Sequence, residues 1–408
     1  MQSDTYQIGL KNEEAVKKMS KDKGEPDWML KKRLYSLSVF ESKPMPTWGP
    51  DLSGLDLRDL AYYVSPNVGR ADDLEDLPEN LKKTFDALGI PEAERKFLAG
   101  NGAMYQSEVI YERMKDQLKK QGVIFMSMDE AVNKYPDLVQ KYFMTRCVPP
   151  TYHKFAALNG AFWSGGTFLY VPKGVKVEMP VQVYFLVDHT SMGQFEHTII
   201  IAEDGASVEY IEGCSAPAYI KGGLHAGVME IFVGKGARVR VTTIQNWSKN
   251  VYNLVTKRAI VNEEGRMEWV EASLGSKVTM LYPASVLSGR GARAEHLYVS
   301  FASDGQVLDT GAKITHAAPD TSAYEESSTA TFPVEEVYEE GSDVSHEASA
   351  GKIAEDQLFY LMSRGFSEEE ARALIVRGFM EPVTKKIPLE YAVEFNRLID
   401  LEMKGAVA

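Results

Sequence analysis

Short runs of hydrophobic and β-branched residues follow one another from about residue 154 onward, and mostly turn-length segments separate them. Gly, Asp, Asn or Ser stands between most runs. No helical pattern of about ten residues intervenes, which argues against βαβ units. A sandwich, a barrel or a stacked β-solenoid therefore remains. The predicted strands are Phe168–Val171, Val181–Val187, His197–Ala202, Ser207–Ile211, Val228–Val233, Arg238–Ile244, Tyr252–Val261, Met267–Glu271 and Leu297–Phe301.

The turns between these runs favour the solenoid. Ala202–Ala206 and Val233–Ala237 both place small residues around a turn glycine, and a new strand begins within two residues of each. Short connections of this kind recur in solenoids, because each coil of the solenoid buries its apolar face by stacking on the next coil. The chain carries no exact repeat motif, so the sandwich stays open as the alternative.

Helical patterns dominate residues 1–150, which we interpret as a mostly helical N-terminal region. An amphipathic helix is predicted to begin at Pro26, and three further helices are predicted over Leu81–Leu88, Ser107–Gly122 and Asp129–Phe143. The β-rich core then extends over residues 151–345.

The hydrophobic period becomes helical again over residues 346–408. We predict a helix over Glu355–Arg364, a second that begins with a capping box of Ser367 and Glu370, and a third from Pro388 to about Gly405. These helices are apolar on more than one side. They need the end of the solenoid, a partner protein, or both, to pack against.

Composition and charge narrow the classes of function. The chain has 408 residues, 44% hydrophobic residues and a net charge of −13. Its densest basic run is Lys31–Arg33, which is too short to outweigh an acidic surface. This argues against binding of nucleic acid. About 18 consecutive apolar residues, which a membrane span needs, occur nowhere. With a polar N-terminus and two cysteines, we expect a cytoplasmic protein with reduced thiols.

Several residues are candidates for chemistry, and each has a plain structural alternative. Cys214 follows a predicted strand in a Gly/Ser turn, where another protein could reach its thiol, whereas free cysteines are most often buried. For Cys147, which follows Arg146, burial is the favoured interpretation. Gln245 and Trp247 lie at a strand end and could simply satisfy a turn.

Two other candidates are charged or titratable. Lys257 lies in the middle of a strand, where an exposed edge charge is the alternative. His346 and Glu347 could be metal ligands, a hydrogen-bonded pair or exposed surface residues. The sequence has no Walker A loop, no G-x-G-x-x-G after a strand, no paired histidines of a zinc protease and no C-x-x-C.

Taken together, eleven ordered segments resemble the SufB branch of the SufB/SufD family, which assembles iron–sulfur clusters. The resemblance extends from about Pro26 to the end of the chain. The segments are Lys43–Gly49, Lys154–Asn159, Trp163–Phe168, Tyr170–Glu178, Met192–Glu196, Glu212–Pro217, Thr243–Trp247, Asn253–Ala259, Gly275–Thr279, Gly311–Lys313 and Gly351–Tyr360.

The resemblance implies a right-handed parallel β-helix flanked by N-terminal and C-terminal helical regions. It implies a scaffold that is not itself an enzyme, in complex with the ABC-type ATPase SufC and with SufD or a second SufB copy. Sulfur would come from a cysteine desulfurase through a SufE or SufU carrier, and clusters would pass to apo iron–sulfur proteins. The C-terminal helices would dock SufC.

The resemblance also assigns residues. Cys214 matches the sulfur acceptor, and Gln245, Trp247 and Lys257 match positions that line a sulfur route inside the β-helix. His346 and Glu347 match a pair beside the nascent iron–sulfur cluster. Because two cysteines cannot supply four thiolate ligands, other ligands must come from His, Glu, a second subunit or a small thiol.

The chain departs from the family pattern in two places. Near 322–331 several strands and a second cysteine are missing, and His197 stands where the family usually has Arg. The loss makes a structural, SufD-like subunit without its own cluster the main alternative to a scaffold. A β-solenoid hydrolase or lyase for polysaccharide is disfavoured, because no cluster of carboxylates at solenoid spacing stands out.

Overall fold

Parallel strands wind around one axis in the computed structural model, which describes residues 13–64, 100–105, 107–186, 191–215, 222–303, 305–327, 334–339, 341–348 and 353–385. The strands stack into a parallel β-solenoid of about five turns, with helices towards both ends of the chain. The predicted solenoid is confirmed. The sandwich is excluded because successive turns pair in parallel, as β-strands Val228–Val233 and Val251–Val261 do.

The first face of the solenoid is a nine-stranded sheet whose order follows the chain from one turn to the next. In order across the sheet its strands are β2 (Glu108–Met114), β1 (Gly100–Tyr105), β5 (Val181–Leu186), β8 (Ser207–Ser215), β11 (Arg238–Trp247), β13 (Arg266–Gly275), β16 (Arg293–Phe301), β19 (Ser322–Ser327) and β21 (Asp343–Ala348).

The other two faces share the long strand β12 (Val251–Val261), which pairs with one face through its first half and with the other through its second half. The second face contains β3 (Ile124–Ser127), β4 (Thr167–Val171), β7 (His197–Ala202), β10 (Val228–Val233), β15 (Ala284–Leu287), β18 (Lys313–His316) and β20 (Val334–Val337). The third contains β6 (Met192–Gln194), β9 (Gly223–His225), β14 (Val278–Leu281) and β17 (Val307–Thr310).

The register of the first face stacks inward-pointing side chains into columns. Alternate residues of a strand point to the same side, so Glu212 and Cys214 on β8 share the inner face. Thr243 and Gln245 on β11 lie directly beside them in the parallel register. Apolar columns fill most of the interior, and these polar columns run through it.

Helices cover the solenoid at its N-terminal side. They are α1 (Glu13–Asp22), α2 (Asp27–Ser42), α3 (Asp116–Lys120), α4 (Met128–Lys134), α5 (Pro136–Tyr142) and α6 (Lys154–Phe162). The buried Arg33 of α2 forms a bidentate pair with Glu25 and donates to the carbonyl oxygens of Ala161 and Trp163, at 3.1 and 2.9 Å. The two hydrogen bonds to carbonyl oxygens connect α2 to the end of α6.

One helix prediction in this region is wrong, and another is confirmed except for a break. Ser107–Gly122 forms β2 followed by the short α3, because pairing with β1 outweighs the local helical pattern. Asp129–Phe143 is two helices, α4 and α5, which separate at Tyr135. Pro136 has no N–H and therefore begins a new helix at its first position. The predicted helices at Leu81–Leu88 and from Pro388 lie outside the described residues.

Two C-terminal helices, α7 (Glu355–Ser363) and α8 (Glu368–Thr384), follow the solenoid. The predicted capping box is confirmed: Ser367 Oγ accepts from the Glu370 N–H, and Glu370 accepts from the Ser367 N–H. Helix α8 contacts β13 and β16 of the first face. Among the described residues, no helix has the length and apolar character needed to cross a membrane.

Candidate functional site

Cys214 lies inside the solenoid, not in a turn at its surface. It belongs to β8, which continues to Ser215, and the structure places it opposite Phe185 on one side and Gln245 on the other. Its side chain is 1% exposed. The predicted turn is wrong, because strand pairing on both sides carries the strand through the Gly-Cys-Ser segment. Of the two alternatives for the thiol, burial is the one observed.

The surroundings of Cys214 oppose its ionisation. Burial, followed by the nearby carboxyl groups of Glu212 and Glu196, raises the pKa of the thiol well above its usual value, and Lys257 acts in the opposite direction. The Cys214 Sγ lies 3.9 Å from Glu212 Oε1. The resting side chain is therefore a neutral thiol beside a carboxyl group.

Lys257 reaches into the same interior from β12. Its Nζ donates to Thr243 Oγ1 and lies 3.1 and 3.2 Å from the two carboxylate oxygens of Glu271, and 3.6 Å from Glu212 Oε1. The side chain is fully buried. The edge-charge alternative is therefore wrong, since β12 has a neighbour on each side.

The charges of this group depend on each other. Burial lowers the pKa of Lys257, but Glu271 and Glu212 outweigh it and raise that pKa above its usual value. Burial raises the pKa of Glu271 to about 7, against the opposing effect of Lys257. The ammonium group is thus held charged by carboxylates that have no water around them.

Gln245 and Trp247 lie two residues apart on the inner face of β11, and both are buried. The Gln245 side-chain oxygen accepts from Asn253 Nδ2. Trp247 stacks against His225, with 4.4 Å between ring centroids and 34° between ring planes. Within the part of the chain that the structure describes, no hydrogen-bond partner faces Gln245 Nε2 or Trp247 Nε1. Two buried donors therefore remain available.

His346 and Glu347 lie on β21, the last described strand of the first face. As neighbours on a strand, they point to opposite sides. His346 pairs in register with Glu325, and Glu347 pairs with Glu326. Burial raises the pKa of Glu325 to about 7, and His346 acts against that rise. His346 therefore shares the side on which Glu325 is buried.

The predicted site residues form two groups that the fold keeps apart. Cys214, Gln245 and Lys257 lie in adjacent turns, whereas β21 is five strand spacings from β8, or about 24 Å. The described residues contain no group of three or more His, Cys, Asp or Glu side chains that could hold a metal ion.

Sequence reasoning missed five polar residues of the interior. They are Glu196, Glu212, His225, Asn253 and Glu271, all of which are buried. Strand alternation could have identified Glu212, because it lies two residues before Cys214. His225, Asn253 and Glu271 lie on three different strands and Glu196 lies between β6 and β7, so their convergence depends on the register between turns.

Cys147 is buried as well, and its Sγ donates to the carbonyl oxygen of Arg258 at 3.1 Å. Burial, followed by Glu230, raises the pKa of this thiol well above its usual value. The interpretation of Cys147 as a buried residue is confirmed.

We expect both thiols to resist alkylation in the folded protein. Because the thiolate is the reactive form and both pKa values are raised, labelling by iodoacetamide at neutral pH should be at least about tenfold slower than in the unfolded chain. Labelling should accelerate as the pH rises towards 10. Mass spectrometry of the two cysteine peptides measures both rates, and fast labelling of Cys214 at neutral pH would contradict the buried position.

Comparison with protein-family models identifies both halves of the chain. Residues 59–183 match the N-terminal region of SufBD proteins. Residues 185–331 and 324–379 match the SufBD core domain of the SUF system of iron–sulfur cluster assembly.

Curated relatives agree over nearly the whole length. An iron–sulfur cluster assembly SufBD family protein of Staphylococcus epidermidis is 49% identical over 435 residues, covering 97% of this chain and 93% of the relative. Proteins of the same description from Staphylococcus saprophyticus and Staphylococcus aureus are 48% and 49% identical with the same coverage. The chain therefore belongs to the SufBD family of iron–sulfur cluster assembly proteins.

Proposed function

We propose that this chain is a SufB-type scaffold, which accepts sulfur at Cys214, assembles iron–sulfur clusters and passes them on. One observation carries the proposal: Cys214 lies inside the solenoid beside a buried polar column that contains Gln245, Lys257 and two carboxylates. A purely structural core has no reason to bury these charges, because an apolar interior of the same volume is at least as stable.

Sulfur transfer to Cys214 balances without an added oxidant. The Cys214 sulfur attacks the terminal sulfur of a donor persulfide, and the sulfur–sulfur bond of the donor breaks. The electron pair of that bond leaves with the donor cysteine as its thiolate. The Cys214 proton passes to Glu212, whose Oε1 lies 3.9 Å away. Burial raises the pKa of Glu212, which suits a proton acceptor for a thiol.

The next step of the proposal is movement of sulfur along the interior towards β21. Gln245 and Trp247 offer N–H donors to an anionic sulfur, and the Lys257 ammonium offers a positive charge. The inner columns continue through Glu271 and Tyr298 of the next two turns. The path therefore stays polar beyond the three residues that the family resemblance assigns.

His346 and Glu347 are the proposed ligands of the nascent cluster, which is the cargo of the scaffold. Imidazole and carboxylate bind iron and are harder ligands than thiolate. Because the two side chains point to opposite sides of β21, His346 suits a cluster reached from the inner columns. Glu347 suits contact with a second subunit at the same strand.

We expect the two ligands to differ in their effects. His346→Ala should lower the yield of reconstituted cluster by about half or more, while Glu347→Ala alone should lower it less unless the second subunit is present. Absorbance after anaerobic reconstitution measures the yield. Equal yields for the double variant and the parent would remove the ligand role.

A structural, SufD-like subunit is the second candidate function. The alignments with the staphylococcal relatives span 435 residues, more than the 408 of this chain, so the relatives contain residues with no counterpart here. The two core-domain matches overlap at 324–331, beside the proposed loss of a second cysteine. Loss of a cluster ligand favours this alternative.

Anaerobic reconstitution with ferrous iron and sulfide distinguishes the two functions. A scaffold should acquire a visible absorbance band, and the band should persist in Cys147→Ser, the matched control. A structural subunit should stay colourless in both proteins. A colourless parent chain, alone and with a second subunit, would favour the SufD-like function.

The proposed partners are a SufC-type ATPase, SufD or a second copy of this chain, a cysteine desulfurase with a SufE or SufU carrier, and apo iron–sulfur proteins. The docking surface proposed for SufC is the outer side of α7 and α8. Its exposed apolar side chains include Phe359, which is 74% exposed, together with Tyr360, Phe366 and Phe379. An open groove of about 390 Å³ between the helices is lined by Tyr360 and Ile375.

Removing part of this apolar surface should weaken binding of SufC. We expect Phe359→Ser with Phe366→Ser to weaken binding at least tenfold without changing the melting temperature, because both side chains are exposed. Tyr35 on α2 is a comparably exposed aromatic residue outside this surface, so Tyr35→Ser is the matched control. Titration calorimetry with SufC measures both, and unchanged affinity of the double variant would remove the docking surface.

A further inference from the structure

Four buried side chains form a chain of hydrogen bonds whose direction is fixed at one end. His225 Nε2 lies 2.6 Å from Glu196 Oε1, and His225 Nδ1 lies 2.8 Å from Asn253 Oδ1. Asn253 Nδ2 then donates to the Gln245 side-chain oxygen. Burial lowers the pKa of His225, but Glu196 outweighs it and raises that pKa. Both ring nitrogens face oxygen acceptors, Glu196 Oε1 and Asn253 Oδ1, so His225 donates at both and links Glu196 to Asn253.

Glu196, at one end of this series of hydrogen bonds, determines the orientation of the Gln245 amide at the other end. Because Glu196 can only accept, His225 donates to it, and the other ring nitrogen donates to Asn253. Asn253 must then use its oxygen towards His225 and its nitrogen towards Gln245. As a result the Gln245 oxygen is occupied and its Nε2 group is left without a partner.

Gln245 has two in-register neighbours, Cys214 on β8 and Ser273 on β13, and Cys214 is the one that can carry a persulfide. Gln245 and Cys214 are directly paired in register and both belong to the inner face, so their Cβ atoms are about 5 Å apart. The Trp247 Nε1 group, also without a partner, lies on the same face two residues along, and its ring stacks on His225. Buried donors without acceptors are costly, which indicates a ligand that supplies the acceptor.

We propose that Glu196, His225 and Asn253 are positioning residues that turn the Gln245 amide so that its N–H groups bind the terminal sulfur of a Cys214 persulfide. The ligand class is a sulfur monoanion attached to Cys214, and Trp247 supplies a second N–H donor. This inference rests on the proposed acceptance of sulfur at Cys214.

The electrostatics of the interior explain why such donors are needed. Glu212 and Glu196 both disfavour negative charge at Cys214, and burial removes the water that would solvate an anion. A persulfide is more acidic than a thiol, so its terminal sulfur carries the charge that the thiol does not. Charge-assisted hydrogen bonds from Gln245 and Trp247 replace the missing water.

Asn253→Asp tests the direction of these hydrogen bonds with almost no change in the shape of the side chain. An aspartate at this position accepts from both sides, so Gln245 must turn its Nε2 group towards Asp and its oxygen towards Cys214. We expect the persulfide on Cys214 to lose its sulfur to added thiol at least about tenfold faster than in the parent, as the loss of one charge-assisted hydrogen bond predicts. Mass spectrometry of the Cys214 peptide over time measures the rate.

A second variant and a matched control keep the test decisive. Asn253→Leu nearly preserves shape, adds no charge and removes the hydrogen bond that holds the Gln245 amide in one orientation. It should shorten the lifetime of the persulfide even if Asn253→Asp fails to fold. Gln182→Glu is the control for an added charge on a buried amide of the same sheet, on the neighbouring strand β5. Persulfide lifetimes equal to that of the parent in the folded variants would overturn the positioning role.

The outcome also separates this inference from the function on which it rests. A parent protein that gains no sulfur at Cys214 overturns the proposed function. A parent that gains sulfur, with variants that hold it equally long, overturns only the role of Glu196, His225 and Asn253. Faster loss in the variants with unchanged melting temperature supports both.

Discussion

Lys257→Met should destabilise the protein by about 3–5 kcal/mol, the cost of leaving buried charges without their partner. The substitution keeps the length of the side chain and removes the ammonium group between Glu271 and Glu212. Both carboxylates would then lie in the solenoid interior without a nearby cation, apart from His225 beside Glu196. Chemical denaturation monitored by circular dichroism measures the free energy of unfolding.

The loss should be greater at high pH. The Glu271 pKa is about 7, above its usual 4.5, and Lys257 holds it down. Without Lys257 the pKa rises further, so at pH 5 Glu271 is protonated and causes little strain. As the pH rises towards the folded-state pKa of Glu271, the unfolded chain has already lost the Glu271 proton while the folded protein must keep it or bury a charge. The free energy of unfolding of Lys257→Met therefore falls.

A second substitution checks the cause. Lys257→Met combined with Glu271→Gln should recover a substantial part of the lost stability, because the closest unpaired carboxylate is gone. A Lys257→Met protein that unfolds at the parent's denaturant midpoint at pH 8 would contradict the buried ion network.

Gly275→Ala should be the most damaging small substitution in the first face, with a loss of about 3 kcal/mol or more. Gly275 has φ of 76° and ends β13 opposite Trp247. A Cβ there would overlap the carbonyl oxygen of Trp247, which also accepts the Ser276 N–H. The clash is with backbone, so the strand pairing beside the proposed sulfur route must shift.

Gly174→Ala is the matched control for this prediction. Gly174 has φ of 73°, and a Cβ added there meets no atom within 4 Å. The loss of stability in Gly174→Ala should be limited to the cost of placing alanine in a left-handed backbone conformation, about 1 kcal/mol. The difference between the two midpoints of thermal unfolding isolates the contact with Trp247, and equal losses would show that this contact is unimportant.

Local patterns were sufficient to predict much of the fold. Strands such as His197–Ala202 and Val228–Val233 were predicted to the residue because apolar runs end at turn glycines or acidic residues. The predicted helix over Ser107–Gly122 is wrong because β2 pairs with β1, a contact between segments that the helical period cannot reveal.

The candidate site was predictable only in part. Family resemblance identified Cys214, Gln245, Trp247 and Lys257. Burial of Cys214 was the favoured one of two alternatives, but the continuation of β8 through this residue was not predicted. The hydrogen bonds from Glu196 through His225 to Asn253 join the connection between β6 and β7 to the strands β9 and β12. Which of their side chains meet depends on the register between successive turns, and composition carries no information on register.

The most direct test of the central claim is the site of sulfur transfer. The full chain is incubated with a cysteine desulfurase, its carrier and cysteine, and each cysteine peptide is then analysed by mass spectrometry without reductant. We expect one added sulfur atom on Cys214, none on Cys147, and no cluster assembled from cysteine sulfur in Cys214→Ser. Equal sulfur on Cys147, or undiminished cluster assembly in Cys214→Ser, would contradict the central claim.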